Sequence, residues 1–176
     1  DEQKARVLYE YMQNKTRYVS IQLGIGGLQP FPASVVDETG YGDCKALSNY
    51  MVALLKEAGI KGYYVTIKSG RDQRQFYPEF PSHQFDHVIV AVPNKTDTIW
   101  LECTSQTQPF GFLGSFTDDR RALLITDNGG KLVKTPTYSP DQNRQTRTVR
   151  ATIDATGAAK VVSKTTYTGL QVENGN

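Results

Sequence analysis

Cys44 sits in the stretch YGDCKALSNYMVALLKEAGI, residues 41–60, between an acidic residue and a segment with helical apolar spacing. If Asp43 caps that helix, the thiol lies in its first turn. Unpaired backbone N–H groups and the helix dipole favour negative charge there, and the thiolate is the form that attacks. A lone cysteine is as often a small buried hydrophobe, so the chemistry needs partners. Two histidines are available, His83 in a polar loop and His87 inside FDHVIVAV, and the next apolar segment, TIWLECT, carries Glu102. If these two segments form a hairpin turning at Asn94–Lys95, Pro93 faces Thr96 and, farther along, His87 faces Glu102. Side chains opposed in this way approach to about 5 Å, close enough for a carboxylate to hold one imidazole nitrogen. A turn one residue longer would set Cys103 opposite His87 instead. Nucleophile, base and acid in the order Cys44, His87, Glu102 make a candidate triad for acyl transfer. Cys103 points to the other face of its strand and reads as core.

The elements that must position these groups are legible as a mixed α+β domain followed by a change of character. EQKARVLYEYMQNK spaces Val7, Leu8, Tyr11 and Met12 as a helix does and stops near Asn14 and Lys15. Residues 16–42 are rich in Gly and Pro and read as one short strand and a long loop. GIGG within them lacks the third glycine of a dinucleotide fingerprint and reads as turn residues. From Cys44 the periodicity is strong: Leu47, Tyr50, Met51, Leu54, Leu55 and Ala58 share a face, and Gly59 stands at the expected C-terminal cap. GYYVTIKS, FDHVIVAV and TIWLECT read as short strands, and the aromatics of RQFYPEFPSHQF precede His87 where a cleft rim would lie. ALLIT and KLVKT form a further hairpin, with Asn128–Gly129 supplying positive φ. From PTYSPDQNRQ onward the chain is polar, and TVRATIDATGAAKVVSKTTYTG alternates about Gly157 as a separate hairpin. These patterns predict a core domain over residues 1–140 and a second unit over 141–176.

Composition narrows the function. At 176 residues the chain can bury about 70% of its unfolded surface. Twenty basic against eighteen acidic residues, with no basic block, argue against nucleic acid or an anionic membrane as partner. No apolar run reaches the roughly 20 residues that span a bilayer, and the chain opens without a start methionine or signal peptide, as an excised fragment would. Two cysteines this far apart are neither a disulfide framework nor a zinc site, although a single Cys44–Cys103 disulfide is open from counting alone.

The blocks YGDCKALSNYMVALLKEAGI, FDHVIVAV and WLECTSQ resemble, in order, the three signature blocks of the transglutaminase-like superfamily. The lead-in RYVSIQLGIGGLQP is similar to a bacterial branch in which the core lies between β-rich domains. The resemblance covers roughly residues 3–140. It implies a papain-like fold whose cysteine helix packs on an antiparallel sheet, and a C-terminal β domain of which residues 141–176 are the linker and first hairpin. It implies Cys44 as nucleophile, His87 as base and acid, and Glu102 as orienting acid, with ECT where most members resemble DPT. The substrate would be a glutamine carboxamide or a peptide amide in a protein or peptide, attacked to give a Cys44 thioester that water or an amine resolves. Backbone N–H of Cys44 and the side-chain amide of Gln22 or Gln29 are candidate oxyanion donors. No metal and no cofactor are called for, and the relatives suggest an exported or cell-envelope location in a bacterium. The alternative is a non-catalytic member whose cleft binds a peptide or glycan, or that serves as a scaffold.

Overall fold

Helix α1, Glu2–Lys15, buries Ala5, Tyr9 and Met12. The expected stripe through Val7 and Tyr11 is rotated, since these two are 54% and 45% exposed. The true face follows the spacing i, i+4, i+7 from Ala5, and it turns Tyr9 inward to a hydrogen bond described below. The computed structural model describes residues 1–71, 76–95 and 97–174. Two-residue strands β1, Arg17–Tyr18, and β2, Tyr41–Gly42, pair in parallel. Between them the expected long loop contains a 3-10 turn, Gly24–Gly27, and a further helix, α2, Ala33–Thr39. That helix opens after Pro32 and closes at Gly40, whose φ of 70° is the left-handed C-terminal conformation. Seven residues with three β-branched side chains leave little helical signal to read.

Helix α3, Cys44–Glu57, is the centre of the first unit, and it ends through Gly59 at φ 74°. Behind it stand β3, Tyr63–Ile67, β4, His87–Asn94, β5, Asp97–Leu101, β6, Arg121–Thr126, and β7, Gly129–Lys134. They form one antiparallel sheet in the order β5-β4-β3-β6-β7. One hydrophobic cluster joins α1, α2 and α3 to Val90, Val92, Leu101 and Cys103 on one face of the sheet. A second gathers Val65, Ile67, Ile89, Ala91, Trp100, Leu113 and Ala122. β4 is therefore covered on both faces, which explains why its sequence is a continuous apolar run. The architecture is the α+β arrangement expected, with the cysteine helix packed on an antiparallel sheet.

Both expected hairpins of this sheet form, and both turn one residue away from the expected place. Asn94 pairs with Asp97, so the loop is Lys95–Thr96, with Lys95 at φ 46° and Thr96 outside the described residues. Thr126 pairs with Gly129, so the second loop is Asp127–Asn128 and only Gly129 takes a positive φ.

The chain divides into units Asp1–Pro136 and Thr137–Asn176. The second holds β8, Gln145–Ile153, paired antiparallel with β9, Ala159–Tyr167, followed by a 3-10 turn at Gly169–Asn174. Among the described residues no helix is long and apolar enough to cross a membrane, and no group of three His, Cys, Asp or Glu side chains could hold a metal ion.

Candidate active site

The start of α3 is built locally. The carboxylate of Asp43 accepts from the N–H of Ala46 at 3.0 Å and pairs with Lys45. This caps the helix so that Cys44 is its first residue, whose own N–H has no acceptor within the helix. A side chain at Gly42 would put its Cβ 2.8 Å from that of Ala46, so the glycine lets β2 lie directly on the helix's first turn. Cys44 is 6% exposed, and both cysteines are free thiols, which removes the disulfide reading.

His87 opens β4 and is buried, its ring edge-on to that of Phe116 at 5.3 Å between centroids. Its Nε2 lies 3.1 and 3.0 Å from the two carboxylate oxygens of Glu102. An ionised carboxylate only accepts, so Nε2 carries the hydrogen and donates it. Cys44 acts on the same ring as one of the causes that raise its pKa, and with Nε2 engaged by the acid, Nδ1 is the nitrogen left for sulfur. Burial alone would discharge the imidazole, but the Glu102 carboxylate and then Cys44 more than offset it and raise its pKa to about 10. Burial likewise opposes the charge on Glu102, and the His87 and Thr104 donors overcome it, holding the carboxyl below its ordinary value.

The contact between His87 and Glu102 arises from a register other than the one expected. The observed pairing of Val90 with Leu101 projects Thr104, not Glu102, opposite His87. Moving a two-residue loop by one position slides the strands by two residues, and side chains alternate faces with period two. Glu102 therefore stays on the face of His87, just beyond the end of β5, and reaches it diagonally. Cys103 faces the other way into the helix-side cluster, where burial first and then Glu102 push its thiol pKa up.

Helix α1 fixes the loop that carries the acid. The buried Tyr9 hydroxyl donates to the backbone carbonyl of Glu102 at 2.7 Å, and Gln13 Nε2 donates to the carbonyls of Ser105 and Gln108, each at 2.9 Å. Thr104 holds the carboxylate itself, its N–H at 3.1 Å and its hydroxyl at 2.6 Å from Oε1. Tyr64 of β3 has its phenol pKa pushed up, first by burial and then by the nearness of Cys44 and Asp43.

Gln22 and Gln29 are both exposed on the segment around the 3-10 turn, and Gln22 Nε2 donates to Ser20 Oγ at 3.4 Å. Among the described residues neither is hydrogen-bonded to Cys44, His87 or Glu102. Pairing of β1 with β2 does bring their segment alongside, since Val19 N–H donates to the carbonyl of Gly42 at 2.9 Å, one residue before Asp43. In the loop ahead of His87, Phe76 stacks on Phe85 at 5.4 Å, while Tyr77 and Phe80 are exposed; Arg74 and Gln75 lie outside the described residues.

Sequence reasoning missed Tyr9, Thr104, Tyr64 and Phe116. Thr104 carried a signal, a hydroxyl two residues after a carboxylate at a strand end, the spacing of a local side-chain hydrogen bond. Tyr9 and Phe116 carried none, because their partners are remote in sequence.

A model of the transglutaminase-like superfamily matches residues 1–110. Among solved structures, a candidate protease from Parabacteroides distasonis is similar over 90% of this chain, with a TM-score of 0.58 and 13% identity. The match spans 31% of that protein's length, and at this identity the likeness is one of fold. No curated protein matches the chain. With the family match covering well over half of its length, the chain belongs to the transglutaminase-like superfamily.

Proposed function

We propose that the protein is a thiol acyl-transfer enzyme in which Cys44 is the nucleophile, His87 the proton carrier and Glu102 the group that orients the ring. The observation that carries this reading is the buried imidazole engaged by the Glu102 carboxylate at 3.0 and 3.1 Å on one nitrogen, with Cys44 close enough to help raise the ring's pKa. A carboxylate on Nε2 fixes the tautomer that leaves Nδ1 free to accept the thiol proton.

Before the first half-reaction the strongly basic His87 already holds on Nδ1 the proton drawn from Cys44, and the sulfur attacks the carbonyl carbon of a glutamine carboxamide or peptide amide. The oxyanion takes a hydrogen bond from the Cys44 N–H and from Gln22 or Gln29, whose exposed segment is tied by β1 to the start of α3. As the carbon–nitrogen bond breaks, His87 returns the proton to the departing nitrogen, leaving a thioester and ammonia or an amine. Water or a primary amine then attacks the thioester, giving its proton to His87, and the thiol is regenerated. With water the outcome is deamidation or proteolysis, and with an amine it is transamidation. Glu102 stays ionised throughout.

Mass spectrometry of the protein with a glutamine-containing peptide and a primary amine tests this. Amine addition, deamidation or cleavage that disappears in Cys44→Ser is the expected result. An unchanged peptide, with Cys44 as unreactive as a buried core thiol, would favour the binding or scaffold module instead.

A further inference from the structure

Glu102 is held by more than its histidine, and the pattern of its contacts is uneven. Oε1 accepts from His87 Nε2 at 3.1 Å, from the Thr104 N–H at 3.1 Å and from the Thr104 hydroxyl at 2.6 Å, whereas among the described residues Oε2 accepts from His87 alone, at 3.0 Å. We infer that Thr104 is a positioning residue for the acid, its hydroxyl drawing the Glu102 carboxylate onto His87 Nε2 and keeping it there. The register makes this necessary. Thr104 projects opposite His87, and Glu102 must reach the ring diagonally from beyond the end of β5. A glutamate has three side-chain torsions to fix, and only its backbone is anchored by the Tyr9 hydroxyl, at 2.7 Å. The Thr104 hydroxyl closes the remaining freedom through a charge-assisted hydrogen bond, the shortest contact the carboxylate makes. This explains how the longer acid of ECT performs the orienting role proposed for it. The catalytic consequence rests on the function proposed above; the placement of the carboxylate does not.

The test reads the ring directly. The chain contains only His83 and His87, so NMR titration of labelled imidazoles resolves both. The titratable groups around His87 and Glu102 are Cys44 on α3, Tyr9 on α1, whose hydroxyl donates to the Glu102 carbonyl, and Cys103, next to the acid in sequence but on the other face of the strand. Tyr64 and Asp43 lie around the thiol, and Asp86, paired with Lys68, adjoins the ring in sequence. All of these stay in place in Thr104→Val, which removes only the hydroxyl. The expected result is a fall of the His87 midpoint by about one pH unit toward its ordinary 6.5, with Thr104→Ser restoring the wild-type value and His83 unmoved. Thr104→Ala reads the same loss if valine disturbs the turn. Glu102→Asp, whose shorter arm loses the threonine, should lower the midpoint to the same extent with or without Thr104→Val. A hydroxyl that merely stabilises the turn would lower the melting temperature in Thr104→Val and leave the His87 midpoint where it was, and that result, or a rise, overturns the inference. Cys44 alkylation run on the same samples separates the two readings. If wild-type alkylation is indifferent to His87→Ala, the enzymatic reading fails while the titration still decides the role of Thr104.

Discussion

The sheet end that carries His87 and Glu102 and the β8–β9 hairpin are both antiparallel, yet they differ in what covers them. Six consecutive residues of β4 are buried between two hydrophobic clusters. Every residue of β8 is exposed, and Val149, Ile153 and Val161, 55–71% exposed, share one uncovered face of the hairpin. The difference teaches where the strength of the proposed site resides. A buried pair such as His87–Glu102 interacts at low dielectric and is costly to break, whereas an isolated two-stranded ribbon gains little from any one side chain.

That contrast can be broken by substitution, and the largest effect belongs to the nucleophile. Cys44→Ser should abolish turnover of a glutamine peptide, read by mass spectrometry, with the far-UV dichroism unchanged. Glu102→Gln comes next: an amide no longer favours the tautomer that leaves Nδ1 to the thiol, so the rate should fall by about 10³-fold or more. Breaking the buried pair should also cost about 3 kcal/mol in urea denaturation. Leu47→Ala, in the cluster under α3, should cost about 2–5 kcal/mol by the same measurement, since Leu47 is 1% exposed and its removal leaves a cavity. Ile153→Ser on the exposed hairpin should change stability by less than about 0.5 kcal/mol.

The pair also gives stability a pH profile with a definite sign. His87 has its midpoint raised from 6.5 to about 10 on folding, so its contribution is complete below pH 6.5 and is lost as pH rises toward about 10. Glu102 is shifted below its ordinary 4.5, so its contribution is present above pH 4.5 and is lost as pH falls through the lower, folded midpoint. Urea midpoints should therefore be higher near pH 5.5 than near pH 9.5, and His87→Ala should flatten that alkaline fall.

Much of this site was legible because helix starts and strand alternation are local. Asp43 as cap and Cys44 in the first turn follow from the residues themselves, and the period of two kept Glu102 on the face of His87 although the hairpin register differed by two. Less legible was whatever depended on distant packing. The buried face of α1 is set by Tyr9 reaching a carbonyl 93 residues away, which the apolar spacing of Val7, Leu8, Tyr11 and Met12 does not reveal. Helix α2 was hidden by its length and its β-branched residues, although Pro32 before it and Gly40 after it were start and stop signals in plain view. For Gln22 and Gln29 the sequence offered two amides, and both stand exposed on the segment beside α3.

Alkylation of Cys44 by iodoacetamide near neutral pH, followed by peptide mass spectrometry with Cys103 as the internal buried reference, is the most direct test of the coupling among sulfur, imidazole and carboxylate. The account predicts that Cys44 reacts at least tenfold faster than Cys103 and that His87→Ala removes most of that advantage. Equal reactivity of the two thiols, or a Cys44 rate that His87→Ala leaves unchanged, would contradict it.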